Sequence, residues 1–381
     1  MHAFQMSRGW LAWLERSAAG WLRPRAGRPG TLLLVALCAL AGAAHGQEDA
    51  GCRARFAGRT LRWIVPSAPG GGFDSYSRLI EPAYERALGV QIVVENHAGA
   101  GGVVGAQILR DAAPDGGTLG IVNGPGLLVA ALAGQEHAPN PATDFDVLGR
   151  VARSQHVWAT GAKSDLTSID DVFAAAAKRP VIFGVREAGG TAFVDIAVAS
   201  ALLGVDRRIV AGFRGNRDAS LAAIRGEVDL VAYTFSSIRD RIAAGDLRPL
   251  LQISTEPIAA DPLLQGVPLL GGPGGVAARR AEQLGRDVAE AVADAGALDA
   301  VIGAGRLVIV PRNLEPAVFG CLESALAAAL TDPELRAAAA AAHRPLDVAR
   351  AAAAKAELEV AGARSNRFLP IVRAALEEIR K

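Results

Sequence analysis

A regular alternation of strand-like and helix-like segments constrains this chain more than any other feature. The apolar runs "LRWIVP", "VQIVVEN" and "GTLGIVNG" are separated by segments with helical periodicity, such as "SYSRLIEPAYERAL" and "GVVGAQILRDAA". The alternation restarts at "RPVIFGV" and continues through "RRIVAGF" and "VDLVAYTF". Strands that alternate with helices predict mostly parallel sheets with helices on both faces. We therefore expect an α/β protein with two lobes, each a doubly wound sheet flanked by helices.

The segments near "LGRVARSQHVWATG" and "LRPLLQISTE" are predicted to cross between the lobes. We expect residues 53–151 to form the first part of lobe 1, residues 152–252 to form lobe 2, and residues 253–381 to return to lobe 1 and end in helices. Ligands of such sheets bind beyond the carboxyl ends of the strands. The predicted ligand site is thus at these strand ends, where the glycine-rich turns fall.

The N-terminal region has the pattern of a secretory signal. A basic start precedes the apolar run "TLLLVALCALAGAA", which is followed by small residues and the polar "HGQEDAG". This pattern predicts a signal peptide over residues 1–46 and an exported protein, with an uncleaved anchor as the alternative. Cys52 and Cys321 remain after cleavage, and an even pair in an oxidising compartment predicts one disulfide. Two unrelated thiols are the alternative.

Composition and motifs argue against several classes of function. Lys and Arg total 40 and Asp and Glu total 39, without the basic excess of a nucleic-acid binder. The six histidines have no metal-ligand spacing. "PGGGFD" lacks the Lys of a phosphate-binding loop, and "NHAGAGGVVGAQ" misses the dinucleotide spacing by one residue. No nucleophile motif is present, so we expect neither catalysis nor a cofactor.

The glycine-rich turns after the predicted strands are the candidate ligand contacts. In "SAPGGGFDS", Asp74 is placed to cap the following helix, and the glycine backbone and helix start together favour an anion. A tight turn with a cap is the alternative. "VNGPG", "REAGGTAF", "FRGNRD" and "YTFSS" supply further turns, hydroxyls and two arginines. Arg186 and Arg214 could each hold a carboxylate, or could be solvated surface charges.

Three stretches carry a family resemblance: "LRWIVPSAPGGGFDSYSRLI", "IVVENHAGAGGVVGAQILRDAAPDGGTLGIVNG" and "FRGNRDASLAAIRGEVDLVAYTFSSIRDRIAAGDLRPLLQIS". With them the chain resembles the extracytoplasmic solute receptors of tripartite tricarboxylate transporters, the Bug receptors, over residues 60–255. The resemblance implies a location in the periplasm and a periplasmic-binding-protein fold of type II, with a ligand cleft between the two lobes. It also implies a small carboxylate held largely by backbone amides, and integral membrane subunits as partners. Carried onto this sequence, with the turns above, the expected ligand-binding residues are Ala68, Gly70, Gly71, Gly72, Phe73, Asp74, Asn123, Gly124, Gly126, Arg186, Gly189, Gly190, Thr191, Arg214, Tyr233 and Ser236.

The predicted function is thus a monomeric receptor that captures a di- or tricarboxylate, or a ligand like an acidic amino acid, and delivers it to a transporter. Two alternatives remain open at this stage. One is a receptor that feeds a sensor without a transporter, and the other is a secreted enzyme on the same scaffold.

Overall fold

The computed structural model describes residues 50–258 and 261–380, and the predicted signal segment lies outside them. A helical segment over residues 50–56 precedes the first strand. The strands are β1 (Thr60–Val65), β2 (Gln91–Asn96), β3 (Thr118–Asn123), β4 (Phe145–Ala152), β5 (His156–Gly161), β6 (Val181–Gly184), β7 (Arg207–Val210), β8 (Leu230–Thr234), β9 (Leu247–Ile253), β10 (Arg306–Pro311) and β11 (Ala349–Arg350). The helices are α1 (Gly72–Leu88), α2 (Val103–Arg110), α3 (Gly124–Leu132), α4 (Ile169–Ala176), α5 (Thr191–Leu203), α6 (Asn216–Ile224), α7 (Phe235–Ala243), α8 (Val276–Leu284), α9 (Val288–Gly303), α10 (Pro316–Thr331), α11 (Pro333–Ala341), α12 (Ala351–Ser365) and α13 (Leu369–Arg380).

These strands form two sheets with the same internal arrangement. The first has the order β11-β4-β10-β3-β1-β2, and the second has the order β7-β6-β8-β5-β9. In each sheet three parallel strands are followed by a strand that runs antiparallel, β10 in the first and β5 in the second. Each of these antiparallel strands reaches its sheet after a crossing from the other one. The amino end of an antiparallel strand therefore lies at the same edge as the carboxyl ends of its parallel neighbours.

Both faces of the first sheet are buried, as its apolar strands predict. In β1, Leu61, Trp63 and Val65 contribute to one core cluster, whereas Ile64 contributes to another. The Trp63 Nε1 donates a hydrogen bond of 2.9 Å to the Ser77 hydroxyl, which fixes α1 against the sheet. Since α1 is held in this way, the glycine turn before it has a defined position at the sheet edge.

The C-terminal helices contact the surroundings of both sheets. α12 packs on β4 of the first sheet, whereas α8, α9 and α13 contact α5, which follows a strand of the second sheet. The structure also contains a disulfide between Cys52 and Cys321, with their Cα atoms 5.3 Å apart. It joins the segment before β1 to α10, and neither cysteine lines the cavity described next.

Candidate functional site

A cavity of about 740 Å³ lies between the two sheets, at the edge where their parallel strands end. Residues of both lobes line it, as the predicted cleft requires. Eleven of the residues expected from the sequence are in its wall: Ala68, Gly70, Gly71, Gly72, Phe73, Asn123, Arg186, Gly190, Thr191, Arg214 and Tyr233.

The first-lobe turn of the cavity is closed by a buried aspartate. Gly70 has a φ of 77°, a left-handed conformation that favours glycine. Asp74 accepts hydrogen bonds from the Gly70 N–H (2.8 Å) and from Asn96 Nδ2 (3.0 Å), and it pairs with Arg78. Burial raises the pKa of Asp74, but these hydrogen bonds outweigh burial, so that the net shift is downward. The carboxylate therefore holds the turn in shape and does not reach the cavity.

The expectation that Asp74 caps α1 is wrong. The N-cap is Gly71, which has no side chain to offer, and Asp74 lies three residues inside the helix. A carboxylate at that position reaches back to the turn, as in a capping box.

Three of the described helices begin at the cavity with a glycine cap. The N-cap residue is Gly71 for α1, Gly190 for α5 and Gly215 for α6. Because glycine has no side chain, none of these helix starts is capped by a side-chain hydrogen bond. The first N–H groups of a helix have no partner within the helix, and its dipole is positive at this end. Three uncapped helix starts on one cavity therefore create a site that favours an anion.

Arg306 is the most unusual cation of the cavity wall. The residue is 2% exposed, and it has no carboxylate partner among the described residues. The guanidinium lies over the rings of Phe73 and Tyr76, at 5.4 and 4.7 Å from their centroids, and its Nε has no hydrogen-bond partner there. Burial lowers the pKa of Arg306 from its usual range, with a further contribution from Arg344. A buried cation without a counterion is costly, so an anionic ligand would stabilise it.

The two arginines singled out from the sequence already have acidic partners. Arg186 pairs with Glu187, and both line the cavity. Arg214 pairs with Asp218 at 2.8 Å, and its side chain is 92% exposed. Both guanidinium groups therefore differ from that of Arg306, which has no acidic partner among the described residues. Direct contact of either with a ligand stays a prediction.

Part of the second-lobe wall of the cavity is polar and buried. The Ser220 hydroxyl, on α6, has no hydrogen-bond partner among the described residues. Burial raises the pKa of Tyr233, which keeps its phenol neutral. His156 is 3% exposed and lines the cavity beside Ser154. These groups can exchange hydrogen bonds with a polar ligand or with water around it.

Five expected residues lie outside the cavity wall: Asp74, Gly124, Gly126, Gly189 and Ser236. Gly124 packs against Leu307, and the Gly126 N–H donates to Asn123 within the start of α3. Gly189 lies beside Gln135. The Ser236 carbonyl accepts a hydrogen bond from Arg344 and lines a smaller cavity of about 280 Å³. In each case the local packing turns the residue away from the cleft.

Arg306, His156 and Arg344 line the cavity but are not among the residues predicted from the sequence. Arg306 and His156 are the first residues of β10 and β5, the antiparallel strands, and they pair with Asn123 and Thr234 at the ends of parallel strands. A prediction based on the turns that follow strands leaves out the residues that begin strands. The only available signal was a charged residue directly before an apolar run, as in "GRLVIVP".

The described residues offer neither a metal site nor a membrane-spanning helix. No group of three or more His, Cys, Asp and Glu side chains among them could hold a metal ion. None of their helices has both the length and the apolar character needed to span a membrane.

Comparison with known proteins places the chain among solute receptors. Residues 77–374 match the family model described as "Tripartite tricarboxylate transporter family receptor". A relative from Pseudomonas sp. (strain P51), the UPF0065 protein in the tcbD–tcbE intergenic region, is 31% identical over 219 residues. This match covers 55% of the chain and 64% of the relative, and thus spans less than two thirds of that protein. The resemblance predicted from the sequence is confirmed.

Solved structures share the fold over their whole length. MatC from Rhodopseudomonas palustris, solved with bound malate, has a TM-score of 0.65 at 21% identity, over 83% of this chain and 100% of that chain. The R. palustris protein Rpa4515, solved with adipate, has a TM-score of 0.66 at 20% identity, over 83% and 98%. At these identities the likeness concerns the fold, and it confirms the predicted two-lobed architecture of periplasmic binding proteins.

Proposed function

This chain belongs to the receptor family of tripartite tricarboxylate transporters, and from that premise we propose that it captures a small organic carboxylate in the periplasm and delivers it to the membrane subunits of such a transporter. The family and the fold are those of solute-binding receptors. The proposal adds the ligand class, the transporter partner and action as a monomer. It also adds a route: the carboxylate enters the cleft, the lobes close, and the closed receptor docks on the membrane subunits.

The observation that carries the ligand class is Arg306. A buried guanidinium without a carboxylate partner among the described residues lies in the wall of a cavity that can admit a small molecule. The glycine-capped start of α1 lies on the same side, because a Cβ on Gly72 would be 3.6 Å from the Arg306 Nη2. A carboxylate placed between them would accept hydrogen bonds from the guanidinium and from the first N–H groups of α1. Structural neighbours solved with malate and adipate support the same class.

The proposal is tested by thermal unfolding of the mature chain, from about residue 47, against mono-, di- and tricarboxylates and acidic amino acids. A ligand at about a hundredfold excess over its Kd stabilises the folded state by about 2.7 kcal/mol. In a protein of this size the midpoint should then rise by about 4 °C. Neutral analogues of the same carbon skeleton, such as the amides, are the matched controls and should give no shift.

Other outcomes separate the alternatives. If no carboxylate raises the unfolding midpoint, and native mass spectrometry finds the cleft empty, the proposed ligand class is contradicted. Chemical turnover of a bound carboxylate would instead indicate an enzyme. Ligand uptake that persists in cells without the transporter's membrane subunits would contradict the proposed partner.

A further inference from the structure

A buried histidine–aspartate pair forms part of the cavity wall. His156, the first residue of β5, turns its Nδ1 to Asp195 on α5, with 3.0 Å between Nδ1 and Oδ2. Trp158 Nε1 donates to the other carboxylate oxygen of Asp195 at 3.1 Å. Asp195 is 0% exposed and His156 is 3% exposed. Since Nδ1 is occupied, Nε2 is the ring nitrogen left for the cavity that His156 lines.

The proton content of the pair decides what Nε2 offers to a ligand. If Asp195 is a carboxylate and the ring is neutral, the proton is on Nδ1 and Nε2 is a bare acceptor, which repels a carboxylate. With one more proton, the pair is either a carboxylate with an imidazolium or a carboxylic acid with a neutral ring. Both arrangements place a hydrogen on Nε2. The protonated pair is thus a donor towards the cavity, whichever atom holds the proton between the two residues.

Burial favours the protonated pair. Isolation from water raises the pKa of Asp195, although the hydrogen bonds from His156 and Trp158 act in the opposite direction. The strand neighbours of His156 are uncharged, because it pairs with Thr234 of β8 and Ile253 of β9. From the cavity side, a carboxylate ligand would add a negative charge that the Nε2–H can neutralise.

The other ionisable groups of the cavity do not share this arrangement. Two of its arginines are paired with Glu187 and Asp218. The remaining charged residues of its wall are Arg217, Asp240, Arg241, Asp246, Arg306 and Arg344. An arginine keeps its charge over the whole accessible pH range, so the arginines of the wall do not change charge near pH 7.

We propose that the His156–Asp195 pair is a proton-carrying contact for the carboxylate, so that this receptor takes up a proton with its ligand and releases the ligand as the pH rises. The inference rests on the proposed function and concerns the same cleft. The protonated pair donates from His156 Nε2 to a carboxylate oxygen, and the bound anion in turn holds the proton to higher pH. Affinity therefore falls as the pH increases through the titration of the pair.

The test is calorimetry with the mature chain and the two named probes, malate and adipate, between about pH 6 and about pH 8.5. Measurements in buffers with different ionisation enthalpies give the number of protons taken up per ligand bound. For the probe that binds, we expect net proton uptake. We also expect its affinity to fall by about tenfold or more as the pH rises over this range, because one hydrogen bond to a charged group contributes about that much. His156→Gln should bind more weakly at acidic pH, show no proton uptake and have a flat pH profile.

His137→Gln is the matched control, because His137 is an exposed histidine outside the cavity. It should retain the pH dependence and the proton uptake of the native chain. If His156 served only to hold α5 against β5, His156→Gln would lower the unfolding midpoint and leave the proton linkage of the remaining folded protein unchanged. That result would overturn the inference.

A measurement on the native chain covers the case in which His156→Gln does not fold. In ¹⁵N-histidine spectra at about pH 8, saturation with the probe should convert one ring to the form with hydrogen on Nε2. Binding of a probe without any proton uptake or ring change would overturn the inference and leave the proposed function intact. If neither probe binds, and no carboxylate in the thermal panel binds, the inference and the proposed function are both overturned.

Discussion

At the scale of single residues, the site depends on an arginine that the chain has buried at considerable cost. The Arg306 guanidinium lies over two aromatic rings, and among the described residues it donates a hydrogen bond to the Arg153 carbonyl at 3.3 Å. A hydrophobic residue of similar volume would fold at least as well at such a position. The cost is therefore best explained by a ligand that supplies the missing negative charge.

Replacement of this arginine separates binding from stability. In Arg306→Met, we expect the free protein to unfold at the same temperature or a few degrees higher, because a buried charge is removed. Carboxylate affinity should fall by about tenfold to a hundredfold, the range for a hydrogen bond to a charged group. Thermal unfolding and calorimetry on the same sample measure both.

Arg225→Met is the control for this substitution. Arg225 pairs with Glu227 at 2.7 Å on an exposed surface outside the cavity, so its loss should leave affinity unchanged. A large loss of stability in free Arg306→Met, without any loss of affinity, would identify Arg306 as a structural cation instead.

The same arginine, together with His156, marks the limit of sequence reasoning about the site. Turns after parallel strands were recognised because their glycines break the apolar pattern, and most of them reach the cavity. Arg306 and His156 have no such signature. They face the site only because β10 and β5 are antiparallel to their neighbours β3 and β8. This direction follows from the crossings between the sheets. Pairing between strands far apart in sequence is not visible in local periodicity.

At the scale of elements, we expect the glycine-capped helix starts to bind an anionic ligand through backbone N–H groups, in place of side chains. A glycine cap lets the ligand approach the backbone and leaves the first N–H groups without an internal competitor. The three glycines of "PGGG" have different roles, since Gly70 adopts the left-handed conformation, Gly71 caps α1, and Gly72 faces the opposite lobe. A Cβ on Gly72 would lie 3.2 Å from the Ser237 hydroxyl.

Gly72→Ala tests whether the first turn of α1 faces the ligand. Alanine favours a helix over glycine by up to about 1 kcal/mol, so the free protein should be as stable as the native one or slightly more stable. The added methyl group would occupy space beside Ser237 and Arg306, and we expect affinity to fall by about tenfold. Calorimetry with the best carboxylate of the thermal panel measures the change.

Gly320→Ala offers a matched comparison, since Gly320 lies within α10 and an added Cβ there meets open space. Both variants gain helix propensity, but only Gly72→Ala should lose affinity. Equal affinity in the two would mean that the ligand does not approach this backbone.

At the scale of the whole molecule, the sequence predicted two α/β lobes because each lobe repeats the strand–helix alternation. The lobe limits themselves remain a proposal, and the C-terminal helices show why they are hard to place. α8, α9 and α13 contact α5, whereas α12 packs on β4, so one continuous stretch of chain touches elements of both lobes. Helical periodicity identifies the buried face of each helix but not the lobe that buries it.

A direct hydrogen bond joins the two lobes across the cavity. The Thr191 hydroxyl, at the start of α5, donates to the Asn123 side-chain oxygen at 2.7 Å. Asn123 ends β3 of the first sheet and also accepts from the Gly126 N–H. Because both partners line the cavity, we expect this bond to form when the lobes close on a ligand and to be absent when they open.

Thr191→Val removes this bond and keeps the side-chain shape. One hydrogen bond is worth about 0.5–1.5 kcal/mol, so ligand affinity should fall by about twofold to tenfold, mainly through faster dissociation from a less stable closed state. Small-angle scattering of the ligand-saturated Thr191→Val protein should give a larger radius of gyration than the native chain at the same saturation.

Asn123→Ala completes a double-mutant cycle, and the losses of affinity in the two variants should be non-additive if the two residues share one bond. Fully additive losses, or an unchanged dissociation rate in Thr191→Val, would mean that closure depends on the ligand alone and not on contact between the lobes.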